Sequence, residues 1–190
     1  VFPVRLSLEE SSGRVIIKGP FGHCAKPTSN GRLYSESVMK PNFKRLTEAM
    51  GSRRLFGELD HPADGKTSLK RVSHIVTELS VAKDGEVLGV LEPLPTPMGK
   101  ILEALAKAGC ELGVSSRGRG SVVSRDDGID EVQDDYTLKT YDVVDNPASK
   151  NAFPSVMESD ELDSFLEGID EEHRADVRTA FEEAAASIDT

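Results

Sequence analysis

Only two cysteines, Cys24 and Cys110, occur in 190 residues. That is too few for a disulfide framework in a chain of this length, and a reducing cytoplasm is the expected setting. No apolar run approaches the ~20 residues of a membrane span, and the first residues lack the basic-then-apolar pattern of a secretory signal. Neither a membrane nor nucleic acid is an expected partner, since no basic stripe interrupts the sequence. Paired cysteines and a helical H-x-x-x-H spacing are both missing, which weakens a metal-dependent hydrolase built on Glu58, Asp60, His61 and another histidine. No G-x-S-x-G elbow is present, and no glycine loop has Walker spacing.

Acidic charge is plentiful but confined. Of the 33 acidic and 23 basic residues, 12 and 2 lie in residues 155–190, which leaves 21 of each in residues 1–154. The formal net charge of −10 therefore belongs to the last 36 residues. Two units are expected: a neutral body over 1–154 that carries the core, and an acidic tail over 155–190. In the tail, Asp170 is a candidate helix cap, and Val177, Phe181, Ala184, Ala185 and Ile188 fall on one helical stripe.

Within the body, residues 14–22 are β-branched and end in Gly/Pro punctuation, which predicts a strand. Residues 26–34 form a loop with an Asn30-Gly31 turn. Ser35 caps a helix ending near Met50 and Gly51, with Pro41 expected to break it or delay its start. Val72–Ala82 and Glu86–Leu91 are strands joined by the hairpin signal Asp84-Gly85. Thr96-Pro97 starts a second helix whose apolar face is Ile101, Leu102, Leu105 and Ala108, stopped by Gly109. Strands are expected at 111–116, 121–124 and 136–144, with an acidic loop at 126–135. No internal repeat is visible. The fold class is α+β, mainly β, with helices packed on an antiparallel sheet or small barrel.

Two short segments carry chemistry. In Gly57-Glu58-Leu59-Asp60-His61-Pro62, the proline forces His61 out of helical geometry, and an imidazole suits proton transfer near neutral pH. In Gly113-Val114-Ser115-Ser116-Arg117-Gly118-Arg119-Gly120, serines at a strand end meet glycines that let backbone approach a ligand. A serine and a histidine make a nucleophile–base pair if the fold brings them together, and a carboxylate can then orient the imidazole. Asp142 and Asp145 in Tyr141-Asp142-Val143-Val144-Asp145 are the candidates. His74 is a rival third member, its other role being that of a buried structural histidine. The blander alternatives are an ordinary loop histidine, a flexible Gly/Arg loop, and aspartates that cap a turn or face solvent.

Together with Asn30-Gly31-Arg32-Leu33-Tyr34, these segments resemble the G-E-L-x-H-P, G-V-S-S-R-G and N-x-R-x-Y motifs of the prohead maturation proteases of tailed bacteriophages. The resemblance spans roughly residues 14–150, with the motifs in the same order. That family is similar in fold to the herpesvirus assemblins, which implies a closed antiparallel β-barrel flanked by helices. It further implies a serine endopeptidase acting inside the procapsid in the host cytoplasm, on scaffold or core proteins and the major capsid protein. By motif match Ser115 is the nucleophile, with Ser116 its competitor, His61 is the base and Asp142 the third member. Backbone amides near Arg117 and Gly118 would bind the oxyanion, with the Arg117 charge in support. No cofactor or metal is implied, and a homo-oligomer is. Cleavage after Glu in an apolar-x-Glu context before a small residue would make Glu158, Glu167 and Glu183 sites of self-processing in the tail. The competing expectation is a catalytically inactive structural component of the phage head.

Overall fold

The computed structural model describes residues 15–145 and 155–156. Ten strands and two helices follow in the order β1 (Ile17–His23), β2 (Arg32–Leu33), α1 (Glu36–Gly51), β3 (Phe56–Glu58), β4 (Val72–Val81), β5 (Glu86–Pro93), α2 (Pro97–Lys107), β6 (Gly113–Arg119), β7 (Val122–Ser124), β8 (Asp130–Val132), β9 (Thr137–Val144) and β10 (Ser155–Val156). Local signals place most of them. Gly85 takes φ +87 in the β4–β5 turn, where its amide donates to Ala82 O at 2.9 Å, a conformation that glycine adopts without steric cost. Thr96 caps α2 by accepting from Gly99 N, with Pro97 at the first helical position.

Ser35 caps α1 by accepting from Val38 N at 3.3 Å. The helix then runs unbroken through Pro41, contrary to expectation. Proline within a helix costs about 3 kcal/mol. Against this, Val38, Met39, Phe43, Leu46 and Met50 are all buried, each worth about 1.5–3 kcal/mol, while Pro41 itself faces solvent. Burial wins. The helix is also fastened by Asn42, whose Oδ1 accepts from Leu138 N at 2.8 Å and whose Nδ2 donates to Tyr136 O at 3.0 Å, so α1 steadies the start of β9.

The expected closed barrel is not found among the described residues. The strands form a five-stranded antiparallel sheet in the order β10-β1-β5-β4-β3, a two-stranded β6-β9 ladder, and a small β2-β8-β7 sheet in which β2 and β8 run parallel. Among the described residues no continuous strand edge joins the two main ladders, whose one ladder bridge is the isolated parallel one between Leu59 and Val143. Beyond it Asp60 turns left-handed, φ +59, and Pro62 has no amide to continue a ladder. The sheets are joined by packing instead: Phe21 of β1 lies on Tyr141 of β9, ring centroids 5.2 Å apart. Two expected loops, 26–34 and 126–135, contain the short strands β2 and β8. The predicted tail helix and the three Glu-containing triplets lie outside the described residues, apart from β10, which pairs with β1 through Ile17–Val156 and Lys18–Ser155.

Candidate active site

β6 and β9 pair antiparallel with Ser115 opposite Asp142. Directly opposed residues in such a pair have Cα atoms about 4.5–5.5 Å apart and project from the same face. The hydroxyl and the carboxylate are therefore neighbours by register alone. His61 arrives from the other sheet. Leu59 bridges to Val143, and the Asp60 amide donates to Val143 O at 2.8 Å. The left-handed turn at Asp60, which aspartate tolerates better than most residues, then swings His61 across the ladder.

Its ring bridges the pair. Nδ1 lies 2.8 Å from Asp142 Oδ2, and Nε2 lies 3.1 Å from Ser115 Oγ. An ionised carboxylate only accepts, so Nδ1 donates to Asp142 and the Nε2 lone pair faces the serine hydroxyl. Asp142 is fully buried and Ser115 nearly so, whereas the His61 side chain is 41% exposed.

Asp142 has all four of its acceptor positions filled. Oδ1 accepts from Glu58 N at 3.0 Å and Arg117 Nη2 at 3.0 Å; Oδ2 accepts from His61 and from Arg117 Nε at 2.6 Å. Burial pushes its carboxyl upward. The hydrogen bonds from His61, Arg117 and the Glu58 amide, with the Arg117 charge, outweigh burial and hold it below the ordinary aspartate value of 3.8.

The other predicted residues fall elsewhere. Strand alternation turns Ser116 to the opposite face of β6 from Ser115 and Arg117, and no hydrogen bond joins it to His61 among the described residues. Asp145 stands exposed beyond β9. His74 is fully buried: Ser73 Oγ donates to its Nδ1 at 2.8 Å, and its Nε2 donates to Tyr141 O at 3.1 Å. Burial lowers its pKa from 6.5 to about 4. Gly57 is dictated by this histidine, because a Cβ there would lie 2.1 Å from His74 Nε2 and 2.4 Å from Tyr141 O. Gly118 is likewise filled, its missing Cβ replaced by the Tyr136 ring.

Sequence reasoning missed the clasp around Glu58. Its buried carboxylate accepts from Ser68 N at 2.6 Å and Arg71 Nε at 2.7 Å, which ties down the far end of the loop after His61. The middle of that loop is held by Gly65 O, which accepts from Lys139 Nζ at 3.0 Å. Lys139 is the extra residue of a bulge in β9, skipped between the Arg117–Thr140 and Gly118–Leu138 pairs; bulges commonly re-aim a side chain in this way. An acid inside a short apolar strand was the available signal for Glu58.

Ser115 and His61 open on a cleft of about 560 Å³, walled by the loop 62–65, by Arg119, and by Asn30, Arg32 and Tyr34 from the N-terminal motif. With Glu58 committed to the clasp, no cluster of three or more His, Cys, Asp or Glu side chains among the described residues is arranged to hold a metal ion.

Residues 9–162 match the family model of the prohead core protein serine protease. The chain belongs to that family. It is 29% identical to the prohead core protein protease of Enterobacteria phage T4 over 142 residues, 72% of this chain and 66% of that protein. The chain thus spans just under two thirds of that relative's length. Its fold matches the structure of the bacteriophage T4 capsid assembly protease, gp21, with a TM-score of 0.66 at 24% identity, covering 76% of this chain and 88% of that one. The mainly β, two-helix architecture is thus the prohead-protease fold.

Proposed function

We propose that this chain is a serine endopeptidase that matures a phage head by cutting scaffold or core proteins and the major capsid protein within the procapsid. One observation carries the proposal: the unbroken chain from Ser115 Oγ through His61 to Asp142, at 3.1 and 2.8 Å, opening on a cleft. Ser115 Oγ attacks the scissile carbonyl carbon as its proton passes to His61 Nε2. The imidazolium, held by Asp142, gives that proton to the departing amine, and water then releases the acyl group by the same relay. Backbone amides near Arg117 and Gly118 are assigned to the oxyanion.

Cleavage after glutamate is part of the proposal. Arg32 and Arg119 are exposed on the cleft walls and offer guanidinium forks to a substrate carboxylate. The acidic segment from residue 155 is proposed as a tail processed by the enzyme itself, and the working enzyme as a homo-oligomer. Ser115→Ala is expected to lower cleavage of prohead core and capsid proteins by roughly 10⁴-fold or more while leaving thermal melting in place. The intact mass of the wild type should fall on incubation and that of Ser115→Ala should not. Equal cleavage by both proteins would end the serine assignment. Equal cutting of Glu and Gln peptides would end the glutamate preference alone.

A further inference from the structure

We propose that Arg117 is a positioning residue that holds the Asp142 carboxylate for His61 and fastens the triad to the loop 62–67, whose residues 62–65 wall the cleft. The assignment rests on Ser115, His61 and Asp142 acting as a triad. It differs from a role for the Arg117 side chain at the oxyanion.

The geometry is specific. Arg117 is 7% exposed, and its guanidinium meets Asp142 as a fork: Nε to Oδ2 at 2.6 Å, Nη2 to Oδ1 at 3.0 Å. Its remaining bonds go to the loop after His61, from Nη2 to Thr67 Oγ1 at 3.2 Å and from Nη1 to Gly65 O at 3.4 Å. Four of the five guanidinium donors are thereby committed to the carboxylate or the cleft wall. Strand alternation explains the placement, because Arg117 lies two residues beyond Ser115 and shares its face beside Asp142.

A planar fork fixes both position and angle of a carboxylate, which a lysine ammonium does not. Asp142 has no solvent to orient it, so the His61–Oδ2 contact depends on what holds the other oxygen. Charge matters equally. The titratable or charged groups facing Asp142 are His61 from the loop after β3, Arg117 from β6 and His74 from β4; the Glu58 carboxylate turns away to Arg71 and Ser68, and Lys139 to Gly65. With Arg117 removed, Asp142 keeps its desolvation and loses its main counter-ion, so its carboxyl titrates at higher pH. A protonated Asp142 no longer holds the His61 ring as an anion does, so the acid limb of activity moves upward.

The test uses the full chain and a fluorophosphonate, which needs no knowledge of the natural substrate. The Ser115 Oγ–P bond forms as the P–F bond breaks, fluoride leaves, and the hydroxyl proton passes to His61. Labelling rates are measured from pH 4.5 to 9 for wild type, Arg117→Lys, Arg117→Met and Ser115→Ala, with melting recorded for each. Arg117→Met should be labelled roughly 10²-fold more slowly near neutral pH, with its acid limb raised by about one pH unit or more. Arg117→Lys should move the limb less, in the same direction, and it remains the deciding variant if Arg117→Met does not fold. A fall that is uniform across pH, as an oxyanion role would give, overturns the proposal. So does a loss of melting temperature with the limb unmoved. Wild-type labelling no faster than that of Ser115→Ala would sink the triad itself, and the proposal with it.

Discussion

His61 and His74 lie thirteen positions apart and are bonded almost as mirror images. Each ring touches a serine hydroxyl, Ser115 or Ser73, and each donates to an oxygen of consecutive β9 residues, Asp142 or Tyr141. Their surroundings differ. His74 sits in the core with a neutral carbonyl as its acceptor, and burial keeps it uncharged down to about pH 4. His61 is 41% exposed at the edge of a cleft, with a carboxylate as its acceptor. A serine hydroxyl and an acceptor are thus common to both rings. On the proposed assignment of His61 as the base, its anionic acceptor and open side are what set it apart from the core histidine His74.

The comparison breaks most sharply at Asp142. Asp142→Asn keeps the shape but replaces the anion with an amide, which makes the His61 acceptor resemble that of His74. Activity on a Glu-containing peptide should fall by about 10⁴-fold with the far-UV spectrum unchanged; a loss below tenfold would show that the carboxylate is not the third member. The next effect is one of stability. His74 has a folded pKa of about 4 against an ordinary 6.5, so the unfolded chain binds the extra proton. Stability from this group is complete above pH 6.5 and declines toward pH 4, by up to about 3 kcal/mol. Urea melts at pH 7 and pH 4.5 should show that slope in the wild type and a shallower one in His74→Gln, whose activity per folded molecule stays within a few-fold. The smallest effect belongs to Asp145. Asp145→Asn should leave kcat/KM within about twofold, because the residue stands exposed past the strand that presents Asp142.

Local features were legible in the sequence because their causes are local. Ser35, Asp84-Gly85 and Thr96-Pro97 mark turns and caps through their own bonding, and the structure places them there. The barrel was not legible in the same way. Whether two ladders close depends on distant backbone pairing, and here the pairing amounts to the Leu59–Val143 bridge. The α1 path through Pro41 was misread because a local penalty was weighed without the five buried side chains that outweigh it. For the candidate site, Ser115, His61 and Asp142 were visible as residue types in motifs. The partnership of Arg117 with Asp142, by contrast, follows from a register that sets Ser115 opposite Asp142. Glu58 was hidden for a similar reason: its partners Ser68 and Arg71 lie beyond a loop whose course no local signal specifies.

The Leu59–Val143 bridge also divides the proposed triad into two mechanical parts. Ser115 and Asp142 ride on one ladder and cannot drift apart without tearing its hydrogen bonds. His61 follows β3 of the neighbouring sheet, coupled to that ladder by the Asp60 amide and by side chains, Asp142 to Glu58 N and Arg117 and Lys139 to the loop after it. Shear between the sheets would lengthen both imidazole contacts together while the serine–aspartate spacing stayed constant. Hydrogen exchange at the Asp60 amide is accordingly a gauge of how often His61 parts from Ser115 and Asp142.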